Sequence, residues 1–362
     1  MIQIVLDPTT KKSIEQIHWN WFKFRVMQLK FSFFPFPTYY SYIKKHVVFF
    51  DSSEKKLSTS QKRRLFYKRL KNLVVGEFSE TGENSFIRFI NLNGKKKGLE
   101  KKRLLIAFGY DDFSMMPGHS KWTTWYNKNK LWYDRFKASN NGEDWNTKVL
   151  CEKLGVDVCP YCNRQYIYTY ERDNVGKKNT AEIDHFKPKS KYPYFSCSLY
   201  NMIPSCGICN SIKRDDDRDI VYPYKESFEK KNILDKNFAF FRMRRKDKVP
   251  FKTTNVYRIP KTIKLDVVGS GIPKSRMDNS KEMFALEELY SRHELDLNDL
   301  LLRYSLYGKL NIRALSQLLK TPEALIKKVI LGIPLQIGTK KEFVLRKFKE
   351  DITRQLDEAA EN

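Results

Sequence analysis

The sequence reads Cys159-Pro-Tyr-Cys162 near its middle and Cys206-Gly-Ile-Cys209 after a gap of 43 residues. Each stretch places two thiols at the spacing of a zinc knuckle, and two such pairs supply the four thiolates of a tetrahedral structural Zn²⁺ site. A redox motif or plain buried cysteines are the alternatives, and the second pair argues against a single redox motif. Cys151 and Cys197 stand alone and are interpreted as small core residues.

The segment between the two cysteine pairs is longer than the usual zinc ribbon allows, so an inserted structure is expected there. Tyr166–Tyr170 is aromatic and β-rich, and Ala181–His185 is predicted as a second strand that ends in an acid and an imidazole. A loop follows, and a helix is predicted from near Cys206 onward. The expected layout is strand, strand, loop and helix, joined by zinc.

The end of the second predicted strand carries the residue types of a hydrolytic metal site. Asp184 and Asn210 offer hard oxygen ligands, which suit a Mg²⁺ or Mn²⁺ ion that keeps several waters. The neighbouring His185 need not bind the metal, because a neutral imidazole can take a proton from water near pH 7. Such a set predicts hydrolysis of a metal-bound phosphate.

Residues 159–213 resemble the HNH endonucleases that have a four-cysteine zinc site and the ββα-metal fold. The matching stretches are the two knuckles, Glu182-Ile-Asp-His185, Phe186-Lys-Pro-Lys-Ser190, Asn201-Met-Ile-Pro-Ser-Cys206 and Cys209-Asn-Ser-Ile-Lys213. The resemblance implies His185 as general base, Asp184 and Asn210 as ligands of the catalytic divalent metal, and Asn201 as the residue that holds the loop and orients His185. Asn210 departs from the histidine that gives the motif its third letter.

Basic residues cluster around this motif. Lys187, Lys189, Lys213 and Arg214 are candidates for contacts with DNA phosphates, since Lys and Arg dominate such contacts. Each taken alone is better explained as a solvated charge, but as a group they fit a nucleic-acid surface.

The charge of the whole chain favours a polyanionic partner. Lys and Arg number 68 against 42 Asp and Glu, a net charge of +26, and residues 1–150, 151–225 and 226–362 carry +15, +2 and +9 of it. This excess favours nucleic acid, and the resemblance to HNH endonucleases implies DNA, double-stranded in the first place. The flanks are therefore predicted to supply most of the DNA affinity. Solubility is the alternative reason for the charge.

The same three regions are the predicted domains. Residues 1–150 form a basic, aromatic-rich region for DNA or partner binding, residues 151–225 the HNH module, and residues 226–362 a region of short strands followed by helices. Lys121–Lys137 interleaves three tryptophans with basic residues, which indicates either base stacking or a buried helical face. The predicted fold class is α+β, with a helical C-terminal end that begins after a turn at Gly269–Pro273.

Several classes of protein are excluded by pattern. No stretch approaches the roughly 18 apolar residues of a membrane helix, and no secretory signal is visible, so a cytoplasmic protein without a membrane partner is expected. The main functional alternatives are a zinc-stabilised nucleic-acid-binding protein without cleavage, a homing nuclease and an RNA-directed toxin. The resemblance and the large flanks favour phage defence or restriction, with an ATPase or other defence-system subunit as partner.

Overall fold

The structure is a computed structural model that describes residues 1–23, 145–173, 176–190, 195–230, 232–245, 261–307, 309–333 and 342–361, with isolated positions in 56–76 and residues 133 and 136. Most of Lys121–Lys137 lies outside the described residues. The elements over the described part are, in chain order, α1 Pro8–Trp21, α2 Thr147–Leu154, β1 Thr169–Arg172, β2 Gly176–Asn179, β3 Glu182–His185, β4 Met202–Ser205, α3 Gly207–Lys213, β5 Phe238–Arg245, β6 Lys261–Val268, α4 Gly271–Met283, α5 Leu286–Tyr290, α6 Glu294–Leu306, α7 Lys309–Leu319, α8 Glu323–Ile330 and α9 Arg346–Glu361. The predicted α+β class is confirmed.

The described part of the middle region has four strands where the sequence predicts two, and the first predicted strand, Tyr166–Tyr170, overlaps β1 only at Thr169 and Tyr170. β1 pairs with β2 as a tight antiparallel hairpin that packs against α2. β3 pairs instead with β4, in a register that places Ile183 opposite Pro204 and His185 opposite Met202. The stretch that forms β4 was predicted as loop, because proline cannot donate to a ladder and disfavours a strand assignment. In a two-stranded sheet, Pro204 can occupy an edge position.

The helix predicted from near Cys206 is present as α3. Cys206 is its N-cap residue, and the Cys206 sulfur accepts a hydrogen bond from the backbone N–H of Cys209. α3 packs on β3, so the second cysteine pair lies at the point where the sheet becomes the helix. The order β3, β4 and α3 forms one small unit, which is called the β3–β4–α3 unit below.

The C-terminal region follows the sequence prediction with one addition. The expected short strands are β5 and β6, which the structure pairs antiparallel, and the helices α5 to α9 follow. Helix α4 was not predicted, since Gly269, Gly271 and Pro273 indicate a turn. Pro273 lies in the first turn of the helix, where its missing N–H removes no intrahelical bond.

The C-terminal region packs directly on the first cysteine pair. The Tyr290 hydroxyl donates a hydrogen bond of 2.7 Å to the carbonyl oxygen of Cys162. The Tyr161 ring stacks on Phe284, with centroids 4.6 Å apart. The hydrophobic core therefore continues from the cysteine region into the C-terminal helices.

Helix α1 joins the same core from the N-terminal side. Asp7 caps the helix by accepting bonds from the backbone N–H groups of Thr9 and Thr10. The buried ring of His18 accepts the indole N–H of Trp145 at Nδ1, so its Nε2 donates to the carbonyl of Cys197 at 2.8 Å. Burial lowers the pKa of His18 to about 4, so the ring is neutral at pH 7.

Tyr290→Phe should destabilise the protein, because the buried Cys162 carbonyl would lose its hydrogen-bond donor. We expect a loss of about 1–2 kcal/mol in the free energy of unfolding, measured by urea denaturation. Tyr307→Phe is the matched control, since the Tyr307 side chain is largely exposed. Equal stability of the two variants would contradict the role given to the Tyr290 hydroxyl.

Candidate functional site

The four cysteines of the two knuckles form one buried cluster. The sulfur atoms of Cys159, Cys162, Cys206 and Cys209 all lie within 4.8 Å of one another, and the Cys162 and Cys206 sulfurs are 3.9 Å apart. A tetrahedral Zn²⁺ with bonds of about 2.3 Å requires sulfur separations near 3.8 Å. The cluster can therefore bind a structural metal ion such as zinc, as the spacing predicted.

Two of the four thiols are made more acidic by their neighbours. Hydrogen bonds from the other thiols lower the pKa of Cys206, and a bond with Cys159 lowers that of Cys162, whereas burial raises the pKa of Cys159 and bonds with the other thiols raise that of Cys209. The backbone N–H of Arg164 also donates to the Cys162 sulfur. Donors of this kind stabilise negative charge on sulfur. The two lone cysteines, Cys151 and Cys197, lie outside the cluster and are buried, as interpreted.

Asp184 is buried, and each of its carboxylate oxygens has a partner. The Tyr161 hydroxyl donates to Oδ2 at 2.6 Å, and the Lys213 ammonium donates to Oδ1 at 3.0 Å. Burial raises the pKa of Asp184, while Lys213 and Tyr161 act in the opposite direction. The sequence analysis predicts neither Tyr161 nor Lys213 as a partner of Asp184.

Asn210 contacts Glu182 and not Asp184. Its amide nitrogen donates to the Glu182 Oε2 at 2.6 Å. Glu182 and Asp184 are two residues apart in β3 and so share one face, which α3 covers with Asn210 and Lys213. The expected ligands Asp184 and Asn210 thus lie in the same interface between β3 and α3. Glu182 offers further carboxylate oxygens as possible metal ligands, a role that the sequence analysis does not assign to it.

His185 ends β3 on the opposite face of the strand from Asp184. Its Nε2 lies 2.9 Å from the carbonyl oxygen of Ser196, so this nitrogen carries the proton and Nδ1 is the atom that can accept one. The ring of Tyr133 packs edge-on against the imidazole at 4.6 Å. Burial, with the positive charges of Lys189 and Lys213, lowers the pKa of His185 to about 3.

Asn201 is fully buried and holds the loop that follows His185. Its side-chain oxygen accepts from the backbone N–H of Lys187 at 2.7 Å, and its amide nitrogen donates to the carbonyls of Lys187 and Phe195. The Phe195 peptide adjoins Ser196, which positions His185. The Asn201 side chain is therefore connected to the imidazole of His185 through the Phe195–Ser196 segment.

The four basic candidates have different surroundings. Lys213 is only 1% exposed, and its ammonium also donates to the carbonyl oxygen of His185, so a phosphate outside the protein does not reach it. Lys187 donates to the Asp217 carbonyl, and the Lys189 ammonium lies 4.5 Å from the centre of the Tyr133 ring. Arg214 is exposed at the end of α3, where its Nε donates to the Ser211 carbonyl. The acidic side chains that follow, beginning with Asp215, form no metal cluster with three ligands among the described residues.

Comparison with known proteins yields one partial similarity. The chain is 30% identical over 91 residues to Protein ea31 of Escherichia phage lambda, a match that covers 23% of this chain and 27% of that protein. The chain therefore spans about a quarter of the length of that relative. No family profile matches the sequence. No solved structure matches it. Among the described helices, none is long and apolar enough to cross a bilayer.

Purified protein should contain one tightly held zinc ion per chain. Cys206→Ser should lose the ion and lower the unfolding temperature strongly, because the cluster joins segments that are distant in sequence. Cys151→Ser removes a buried thiol outside the cluster and should keep the metal. Elemental analysis checks both variants, and a well-folded wild type without metal would contradict the assignment.

Lys213→Met should destabilise the protein by about 3–5 kcal/mol, because it leaves the buried Asp184 charge without its cation. The double variant Asp184→Asn/Lys213→Met removes both charges and should recover much of that loss. Urea unfolding of the two variants measures the difference. Lys274→Met is the control, since its exposed pair with Asp278 contributes little. A double variant no more stable than Lys213→Met would refute the buried pair.

Proposed function

We propose that this protein is a metal-dependent endonuclease that hydrolyses phosphodiester bonds of DNA, with His185 as the general base. The observation that carries the proposal is the position of His185 at the end of β3, with its tautomer set by the Ser196 carbonyl. The β3–β4–α3 unit also contains Asp184 and Asn210, and Asn201 directly precedes β4. The four-cysteine cluster links this unit to the segment that carries Cys159 and Cys162.

The chain's own residues support a proton-transfer role. The neutral imidazole of His185 can accept a proton at Nδ1 from an attacking water, while its Nε2 N–H remains bonded to Ser196. Asn201 restrains the loop that carries Ser196 and so restrains the ring. The low pKa of His185 arises first from burial, so a base of useful strength requires that Tyr133 withdraw from the ring and admit water.

Asp184 and Asn210 would hold the catalytic Mg²⁺ or Mn²⁺, with Glu182 as a further oxygen donor. A divalent ion there would neutralise charge on the phosphate and on the leaving oxygen. The donor set fits a hard cation, provided that the Lys213 ammonium leaves Oδ1 of Asp184. Lys213 thus has two roles to test, as the partner of Asp184 and as a competitor of the metal.

The charge distribution supports DNA as the substrate. The β3–β4–α3 unit lies in the nearly neutral region 151–225, whereas the flanks carry +15 and +9. Binding that depends on these flanks should weaken steeply with salt, because neutralised phosphates release counterions. Arg214, directly after α3, is the exposed one of the four basic candidates for a phosphate contact.

A second candidate function is nucleic-acid binding without cleavage. The contacts that favour it are the Lys213–Asp184 ion pair and the burial of His185 beneath Tyr133, which leave neither group open to solvent. A homing nuclease and an RNA-directed toxin are further variants of the nuclease proposal. Digestion of supercoiled plasmid and of RNA in parallel separates these candidates.

The proposed biological role is phage defence or restriction in the cytoplasm, with an ATPase or other defence-system subunit as partner. This part of the proposal rests on the resemblance to HNH nucleases. The gene neighbourhood is the observation that distinguishes the roles, since an adjacent ATPase or methyltransferase gene would indicate defence or restriction.

His185→Ala should abolish plasmid nicking while the protein still folds, holds zinc and binds DNA. General-base catalysis is typically worth about 10²–10⁴-fold, so we expect a decrease of that order in the nicking rate with Mg²⁺. The assay compares variants at equal zinc content. His293→Ala, a histidine away from the unit that bonds Arg164 and Asp296, is the matched control and should nick at the wild-type rate.

Asp184→Ala and Asn210→Ala should also reduce nicking, but through the metal. We expect a higher Mg²⁺ requirement and partial rescue by excess Mn²⁺, neither of which applies to His185→Ala. Nicking by His185→Ala at the wild-type rate would refute the general base. Binding of DNA by a wild type that never cuts, with or without Mn²⁺, would favour the binding-only function.

A further inference from the structure

The hairpin of β1 and β2, together with the extended segment that leads into it, presents a row of exposed tyrosines that the proposed nuclease chemistry does not use. Tyr166, Tyr168 and Tyr170 alternate along an extended segment and are 43%, 44% and 50% exposed. The intervening Ile167 is buried in the core. The alternation therefore places the three rings on one side of the backbone. These three residues are called the tyrosine row below.

The tyrosine row lies on the face of the hairpin that points away from α2. On the other face, the Thr169 hydroxyl donates to the Lys148 carbonyl of α2, and the Lys177 ammonium bonds the Glu152 carboxylate. Because side chains alternate, these contacts assign Thr169 and Lys177 to the α2 side. The tyrosine row belongs to the opposite side, which no described element of the chain covers to the same extent.

The strands contribute positive charges to the face of the tyrosine row. Tyr170 pairs with Lys178 across the strands, and Arg172 continues the row. The acid of β1, Glu171, belongs to the α2 side with its cross-strand partner Lys177. Residues 166–172 and 176–180 therefore place two cations beside the rings, and one acid, Asp157 in the loop between α2 and β1, lies within electrostatic range of Tyr168.

Two of the rings are already arranged for stacking. Tyr166 and Tyr168 lie nearly parallel, with ring centroids 5.2 Å apart and an interplanar angle of 15°. Aromatic rings that are held in place beside cations stack on unpaired bases, while the cations contact the phosphates. A duplex hides the faces of its bases, so a single strand is the form of nucleic acid that can use such a surface.

We propose that the tyrosine row, with Arg172 and Lys178, binds a single-stranded segment of nucleic acid by stacking bases on the rings. A protein partner is the competing occupant, since tyrosine is also frequent at protein interfaces. The cations on this face and the net charge of +26 favour the polyanion. The inference rests on the proposed function for the identity of its ligand, but its test measures binding and needs no cleavage.

The test measures the affinity of the full chain for a labelled (dT)20 oligonucleotide by fluorescence anisotropy. Tyr166→Leu and Tyr168→Leu keep an apolar side chain but remove the ring, and each should weaken binding by about 5- to 100-fold. Tyr307→Leu is the matched control, because Tyr307 is also 43% exposed but lies at the end of α6. It should bind within about twofold of wild type.

Salt dependence separates the rings from the cations. Loss of a tyrosine releases no counterion, so the slope of log affinity against log salt should be unchanged in Tyr168→Leu. Arg172→Gln and Lys178→Gln should each reduce that slope by about 0.7, the value for one phosphate contact on a single strand. Zinc content and the melting temperature, measured for every variant, exclude a loss of fold as the cause.

Photocrosslinking locates the contact. An oligonucleotide with 5-iodouracil should crosslink to the tryptic peptide of residues 165–172, which contains the three tyrosines, and not to the peptide of residues 304–309, which contains Tyr307. Three results would overturn the proposal: no binding of (dT)20 by wild type at low salt, unchanged affinity in both tyrosine variants, or crosslinks only elsewhere. Unchanged affinity would assign the row to a protein partner. Cleavage by His185→Ala would refute the general base and leave this result standing.

Discussion

The four-cysteine cluster is the constraint on which the rest of the described structure depends. Its members come from two short segments that are 43 residues apart, and the cluster holds the loop before β1 against the start of α3. The C-terminal helices then pack on the first cysteine pair through Tyr290 and Phe284. A metal ion bound there would stabilise an otherwise small sheet, since a two-stranded β3–β4 pair buries little by itself.

Around that cluster, the buried side chains of Asp184, Asn201 and His185 are each satisfied by specific contacts. Asp184 is bonded by Tyr161 and Lys213, and Asn201 satisfies the backbone of the loop between β3 and β4. His185 lies between these two sets, next to the Ser196 carbonyl. Buried groups of this kind lower the number of conformations available to the unit, because each unmade bond would leave a polar atom without a partner.

The same contacts limit what the site can do in the conformation described. An acid held by a lysine and an imidazole covered by Tyr133 are protected from solvent, so activity of the proposed kind requires a local rearrangement. Asp184 and His185 lie on opposite faces of β3, so the contacts of one side chain can rearrange while those of the other stay in place. The exposed tyrosine row is some distance along the chain from both, on a separate hairpin, and needs no such rearrangement to contact a ligand.

The sequence alone determined the features that depend on local spacing. The cysteine pairs, the strand that ends at His185, the start of α3 near Cys206 and the separate strands β5 and β6 all follow from patterns within a few residues. The tertiary structure decided which strand pairs with β3, that Asn210 faces Glu182, and that Lys213 is buried on Asp184. It also decided that Tyr133, 52 residues before His185, covers the imidazole. Spacing fixes which side chains share a face, whereas their partners depend on how distant segments pack, and that packing is a property of the whole core.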